Sequence, residues 1–217
     1  MGKVLIGMPA YNEGKVVGKV VKELKKEGYT EILVVDDASK DGTEEEARKS
    51  GATVLRHVLN RGTGAATMTA ISYAYENDYD FIVLIDSDGQ HSPKDVKKLL
   101  KYKDKYDVVI GCREKKDMPF VRRIANKVGN LITWLFFGLY VSDSQSGFKL
   151  LNRKAMEKIN ITYDRYEFSS EIIGDIKRHK LKYKEVPIKT IYTEHSQSKG
   201  QSVKNGFVMI VRMFARR

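Results

Sequence analysis

The 217-residue chain carries 39 Lys and Arg against 28 Asp and Glu, a formal charge of +11, with 41% apolar residues and one cysteine. That length supports one sizeable core and a single domain, and the lone Cys112 excludes an internal disulfide framework and fits a reducing compartment. The positive balance asks for an anionic partner: nucleic acid, an acidic membrane surface or a phosphorylated substrate.

"KVLIGM" (3–8) reads as a strand, and Pro9 and Asn12 interrupt it before it can act as a secretory signal. Residues 14–27 read as a helix with Val16, Val17, Val20, Val21 and Leu24 on one face. "EILVVDD" (31–37) is a second strand, "DGTEEEARKS" (41–50) a capped helix with an acidic start, and "ATVLRHV" (52–58) a third strand. A helix from about Gly64 to Tyr75 leads to "FIVLID" (81–86), the most continuously apolar strand. A helix from about Pro93 and the strand "YDVVIG" (106–111) follow. The rhythm then changes to a long helix over about 120–138, a short strand near 147–151, a helix over 168–179 and the strand "KEVPIKTIY" (184–192). Strand–helix alternation with apolar strands predicts an α/β fold with a mostly parallel central sheet covered by helices on both faces.

No run approaches the roughly 18 to 20 apolar residues that span a bilayer. Two shorter stretches, "LITWLFFGLYV" (131–141) and "GFVMIVRMFARR" (206–217), read as buried helices, with an interfacial helix as the rival reading. Trp134, Phe136 and Phe137 are accordingly expected in the core rather than in a lipid groove.

In an open α/β sheet, chemistry gathers beyond the carboxyl ends of the strands. Those ends deliver "MPAYNEG" (8–14), "DDASKDGT" (36–43), "LNRGTGAA" (59–66), "DSDGQH" (86–91) and "GCREKK" (111–116). Asp86 and Asp88 point apart in an extended strand and converge only if the chain turns at Ser87–Gly89. Two converging carboxylates repel unless a cation lies between them. Mg2+ or Mn2+ meets that need and completes its shell with substrate phosphate oxygens; the alternative is a solvated Asp-Ser-Asp turn. His57 reads as a packing residue within a strand, His91 as a phosphate contact or a helix cap, His179 as part of a solvated basic face, and Cys112 as a small buried side chain.

Taken in this order, "PAYNE", "DDASKDGT", "NRGTGAA" and "DSDGQH" resemble the inverting family-2 glycosyltransferases of GT-A fold. The later "GCRE…FVRRIANKVGN…DSQSGFKLL…EVPI…SQSKG" is similar to the polyprenyl-phosphate branch of that family, typified by dolichyl-phosphate mannose and glucose synthases. The resemblance runs from Pro9 to about Gly200. It implies a Rossmann-like GT-A fold and one catalytic domain over 1–217. Residues 1–111 would form the nucleotide-sugar half, and 112–217 the acceptor half, ending in a membrane-associated helix.

The resemblance also implies roles. Pro9, Tyr11, Asn12, Glu13, Asp36, Asp37, Gly64, Asp86 and Lys199 would hold the nucleotide sugar. Asp86, Asp88 and Gln90 would surround the metal, and Arg113, Arg122 and Asn126 the acceptor phosphate, with Asp88, Arg113 and Arg122 catalytic. Arg122, Asn126 and Asn130 share one helical face by spacing. The sequence departs from the family at Asn126 (a serine there), Lys149 (an arginine) and Thr193 (an arginine), while Lys199 is kept and His195 lies close by.

The implied reaction moves a sugar from a UDP- or GDP-sugar to a polyprenyl or dolichyl phosphate with inversion. UDP-glucose, UDP-N-acetylhexosamine and GDP-mannose all stay open as donors. A lipid phosphate is already anionic and needs no general base; Arg113, Arg122 and Arg123 would relieve its repulsion from the donor. The expected place is cytoplasmic, peripheral on the inner face of the cell membrane, beside an anionic lipid surface. Nucleic acid is not expected, because no basic–aromatic surface motif is present. Three rivals remain: a hydroxyl-acceptor transferase with Glu171 as base, a nucleotidyltransferase releasing pyrophosphate, and a basic binding protein without catalysis. The last leaves the acidic residues at the strand ends unexplained.

Overall fold

The computed structural model describes residues 2–114, 120–163 and 167–191, with backbone only at 120–122. The expectations placed on Arg122, Thr193, His195, Lys199 and the 206–217 stretch therefore lie outside the described side chains. The strands are β1 (Val4–Ala10), β2 (Ile32–Asp36), β3 (Thr53–Arg56), β4 (Phe81–Leu84), β5 (Val108–Arg113), β6 (Lys149–Asn152) and β7 (Tyr183–Ile188). The helices are α1 (Val17–Lys26), α2 (Thr43–Lys49), α3 (Thr63–Glu76), α4 (Val96–Leu100), α5 (Phe120–Phe137), α6 (Arg153–Lys158) and α7 (Phe168–Arg178).

All seven strands form one sheet in the order β3-β2-β1-β4-β6-β5-β7. β1 runs parallel to β2 and β4, β2 to β3, and β5 to β7. β6 alone is antiparallel, to both β4 and β5. The continuous apolar runs Ile32–Val35 and Phe81–Leu84 are buried along their whole length, as strands covered on both faces must be. One core packs α3, α6 and α7 against the sheet through residues such as Ile71, Met156 and Ile172. The other packs α1, α2 and α4 through Val21, Ala47 and Leu99.

The chain leaves β1 toward β2 and β3, then crosses back to place β4 on the other side of β1. That reversal opens a crevice beyond the ends of β1 and β4, where ligands bind in such sheets. β6 contributes from the opposite direction. Its register, Leu84↔Lys149 and Ile110↔Lys149, sets the start of β6 beside the ends of β4 and β5.

Some elements differ from expectation. β3 stops at Arg56, so His57 lies beyond the strand, and β7 stops at Ile188. A 3-10 turn (Pro93–Asp95) precedes a short α4. α6 follows β6 directly because the Asn152 side chain accepts from the Ala155 amide at 2.9 Å and caps it.

The largest correction concerns α5, which is turned inside out. Ile124, Val128, Leu131 and Leu135 recur at helical spacing and, with Trp134, are 46 to 64% exposed. The opposite face, Gly129, Asn130 and Thr133, is buried. Trp134 is thus not a core residue, whereas Phe136 and Phe137 are partly buried. The Phe137 ring lies so close to Gly174 of α7 that a Cβ there would sit 2.3 Å from it. Among the described residues no helix is long and apolar enough to cross a membrane.

Candidate active site

β1 and β4 end side by side, and both turn away at once. Beyond β1, Asn12 takes a left-handed backbone (φ 54). Its amide donates to Ser39 Oγ at 2.9 Å, and its side-chain oxygen accepts from the Lys40 amide at 2.9 Å. The Glu13 amide donates to Thr43 Oγ1, and its carbonyl accepts the first amides of α1. These bonds fix Pro9–Glu13 as one wall. Beyond β4, the expected turn at Ser87–Gly89 is present, with Gly89 at φ 77 and Ser87 Oγ donating to the Pro9 carbonyl at 2.8 Å. The turn gathers Asp86, Asp88 and Gln90 with Pro9, Tyr11, Asn12, Glu13, Asp37, Arg113 and Asn126 around a cavity of about 510 Å3.

The two aspartates differ in their surroundings. Asp86 Oδ2 faces His91 Nε2 at 3.0 Å, and His91 is buried against Phe148. Burial pushes the Asp86 pKa up, but the His91 hydrogen bond and the charges of His91, Lys149 and Arg113 outweigh it and hold it below the usual range. Asp88 accepts from the Gln90 amide and from Gln90 Nε2. Burial, then the charge of Asp86, push its pKa up. His91 therefore orients Asp86, a role that neither of its expected readings included.

Asp37 accepts from the Arg61 and Gly62 amides at 2.9 and 2.7 Å and from His57 Nδ1 at 2.7 Å, a carboxylate set at the start of α3. Asp36 is fully buried, pairs with Arg56 at 2.7 Å and does not line the cavity. Gly64 is buried within α3, and Thr63 and Ala66 face the cavity instead.

On the far side, Arg113 Nε and Nη2 each reach Asp143 at 2.7 Å, and the Arg113 amide donates to the same carboxylate. Burial would raise the Asp143 pKa, but the charge and hydrogen bonds of Arg113 hold it down. Asn126 Nδ2 donates to Asp143 at 2.8 Å, and Asn130 Nδ2 to Asn126 Oδ1 at 2.7 Å. Asn130 also accepts from the Ser144 amide and hydroxyl, while Thr133 bonds Ser144 and Ser170. This network accounts for the inverted α5: its polar face is satisfied inside. Lys149 is fully buried, donates to the Ser146 carbonyl, and is pushed down to about 8 by burial against the opposing pull of Asp143 and Asp86. A Cβ on Gly147 would lie 2.3 Å from Asp86 Oδ1, so only glycine permits this approach.

The profile of the family described as "Glycosyl transferase family 2" matches residues 5–160. The chain belongs to this family. This transferase is 48% identical to an uncharacterised protein of Methanocaldococcus jannaschii, over 97% of its own length and 90% of the relative's. It is 37% identical to a UDP-N-acetylglucosamine–dolichyl-phosphate N-acetylglucosaminyltransferase of Methanococcus voltae, over 95% and 92%. A glucosyl-3-phosphoglycerate synthase from Mycobacterium tuberculosis, solved with Mn2+, UDP and glucosyl-3-phosphoglycerate, shares its fold at TM-score 0.77 and 18% identity, covering 99% of this chain and 78% of that one.

Asp143, Gln145, Ser146, Gly147 and the deep position of Lys149 carried no assigned role in the sequence. They enter the transferase's site because β6 is antiparallel, so the loop before it, not after it, reaches the functional edge. Glu171 is absent from the cavity wall. Its carboxylate accepts from the Thr162 amide and hydroxyl and the Tyr163 amide at 2.5 to 3.0 Å. Among the described residues no three His, Cys, Asp or Glu side chains gather for a metal. Two carboxylates, one raised by burial and then by the charge of the other, nevertheless fit a hard divalent ion that completes its shell from substrate phosphates.

Proposed function

We propose that this transferase moves a sugar from a nucleotide-diphosphate donor to a polyprenyl phosphate with inversion, at an anionic membrane surface on the inner face of the cell membrane. One observation carries the acceptor assignment. Among the described residues, the wall contributed by the chain after Cys112 holds Arg113, Ala125, Asn126, Gln145, Ser146, Gly147, Phe168 and Ser169, and no carboxylate. A hydroxyl acceptor needs a base there; a phosphate acceptor needs a cation. The relative from Methanococcus voltae, named for a dolichyl-phosphate acceptor and a UDP-N-acetylglucosamine donor, supports the same reading and favours a UDP-linked N-acetylhexosamine.

In this account Pro9–Glu13 and Asp37 hold the nucleoside end of the donor. Asp86 and Asp88 would hold Mg2+ or Mn2+, with Gln90 turning its amide oxygen inward as a further ligand. When bound, the ion supplies positive charge to the diphosphate leaving group. Arg113, set by Asp143, receives the acceptor phosphate and relieves its repulsion from the donor, with Arg122 on the same phosphate and Lys199 on the donor phosphates. The phosphate oxygen attacks the anomeric carbon as the bond to the diphosphate breaks, and no proton has to move.

The direct check is a donor panel offered with a polyprenyl phosphate and a divalent ion. The expected result is a glycolipid and an equal amount of free nucleoside diphosphate, with UDP-N-acetylhexosamine the preferred donor. Release of pyrophosphate, or no glycolipid from any donor, contradicts the reading.

The exposed apolar face of α5 begins at Ile124, beside cavity residues Ala125 and Asn126, so a lipid surface on that face would lead straight to the site. Trp134 lies on it and is the chain's single tryptophan. Its fluorescence should shift to shorter wavelength on anionic vesicles and return as salt rises within the screening range. An unshifted emission on bound vesicles removes α5 from the interface.

A further inference from the structure

The loop between β3 and α3 presents two consecutive aliphatic side chains to solvent. Val58 is 95% exposed and Leu59 72%, more than any other large apolar side chain among the described residues. Single exposed aliphatics are ordinary, but an adjacent pair at a loop tip is a small apolar projection. Its base is fastened on both sides. The His57 amide donates to the Asp36 carbonyl at 2.9 Å, Asn60 Nδ2 donates to the Asp37 carbonyl at 3.2 Å, and the Arg61 and Gly62 amides hold the Asp37 carboxylate. The loop is thus anchored on both sides of the pair, to Asp36 and to Asp37 of the cavity wall.

Its place in the sheet gives it meaning. The loop follows the end of β3, on one side of the β1–β4 crevice, while α5 follows the end of β5 on the other. Two exposed apolar elements therefore flank the mouth. Exposed Arg61 is two residues from Leu59, and exposed Lys40 follows Ser39, whose carbonyl accepts from Arg56 at the end of β3, in a chain of formal charge +11. We propose that Val58 and Leu59 form a second lipid-inserting point, which together with α5 seats the mouth against an anionic membrane, Lys40 and Arg61 meeting the headgroups. Apolar tips flanked by cations suit that interface, since aliphatic carbon enters the acyl region while charge stays at the surface. The inference rests on the lipid-acceptor reading and deepens it by naming what faces the membrane.

The test compares the parent with the full-length double variant Val58→Ser, Leu59→Ser. Sedimentation with vesicles mixing zwitterionic and anionic phospholipid is read beside turnover on two acceptors. One is a long polyprenyl phosphate embedded in those vesicles, the other a short, water-soluble prenyl phosphate. The expected result is about a 10-fold or greater loss of vesicle partitioning, from two aliphatic chains removed from the apolar phase. Turnover on the embedded acceptor should fall in step, and turnover on the soluble one should stay at the parent's rate. Parent-like partitioning overturns the proposal, as does equal loss on both acceptors, which would make the loop a support of the site. A change of oligomeric state by light scattering, with partitioning intact, assigns the pair to a second copy of the chain and also overturns it. Leu59→Trp in a Trp134→Phe background gives an independent reading. Its emission should shift to shorter wavelength on vesicles and be quenched by acyl-brominated lipid; unshifted emission counts against insertion. A parent that uses neither prenyl phosphate sinks the acceptor reading, while the partitioning and fluorescence results still decide the insertion.

Discussion

Asp88→Asn is expected to lower sugar transfer by about a thousandfold or more while the protein stays folded. A neutral amide is a poor ligand for a hard cation. The charge such an ion supplies in the transition state amounts to several kcal/mol, and about 4 kcal/mol is three orders of magnitude. The same substitution should raise the Tm of the metal-free protein. Burial and then Asp86 lift the folded-state pKa of Asp88 above its unfolded value. A group shifted that way favours the folded state at low pH, and that contribution is lost as pH rises through the lifted pKa. Above that lifted pKa the ionised Asp88 is a liability, which asparagine removes and a divalent ion neutralises. Mn2+ should therefore stabilise the parent and leave the variant unchanged in a thermal melt, and the parent's ion affinity should grow with pH over the range where Asp88 loses its proton. Full activity in Asp88→Asn, or of the parent in excess chelator, removes the ion from the account.

Arg113→Ala is the second large effect, and it should fall on the acceptor. A charge-assisted phosphate contact in a partly dry site is worth about 2 to 4 kcal/mol, or roughly 30- to 1000-fold in turnover of the lipid phosphate. Affinity for the nucleoside diphosphate, read by calorimetry, should barely change. The substitution also strands Asp143, which is 1% exposed and loses its only cationic hydrogen-bond partner among the described residues. Breaking a buried pair from one side costs about 3 to 5 kcal/mol of stability. Pairing Arg113→Ala with Asp143→Asn separates the two effects. The double variant should regain much of the lost stability and none of the lost turnover. Arg113→Lys should rescue only partly, since a point charge cannot match the planar fork. Equal losses of nucleotide affinity and turnover would instead place Arg113 on the donor.

The first five strands and their helices were legible because a sheet covered on both faces demands unbroken apolar strands, and 32–35 and 81–84 are such runs. The functional edge followed from reading the residues at the strand ends, which gathers Pro9–Glu13, Asp37, Asp86, Asp88 and Arg113 at the cavity. Asp36 met the same criteria, but Arg56 holds its carboxylate below the surface, and a sequence gives no sign of which of two adjacent aspartates turns inward. The direction of β6 was equally silent, since the four residues "KLLN" carry no polarity of their own. Gly147 and Asp143 enter only once that strand runs backwards. The uncharged run 131–141 reads as a buried helix, but helical periodicity does not say which face of α5 is inside. Asn130 and Thr133 decide it by finding partners in Ser144 and Ser170, which are remote in sequence and adjacent only in the fold.

The acceptor is where the account is most exposed, and one comparison bears on it directly: initial rates on a polyprenyl phosphate and on the matching free polyprenol, with the same donor, ion and vesicles. The account predicts turnover of the phosphate and none detectable of the alcohol, because among the described residues the acceptor half of the wall offers Arg113 and no base. Alcohol turnover at a comparable rate would contradict it and require a carboxylate base.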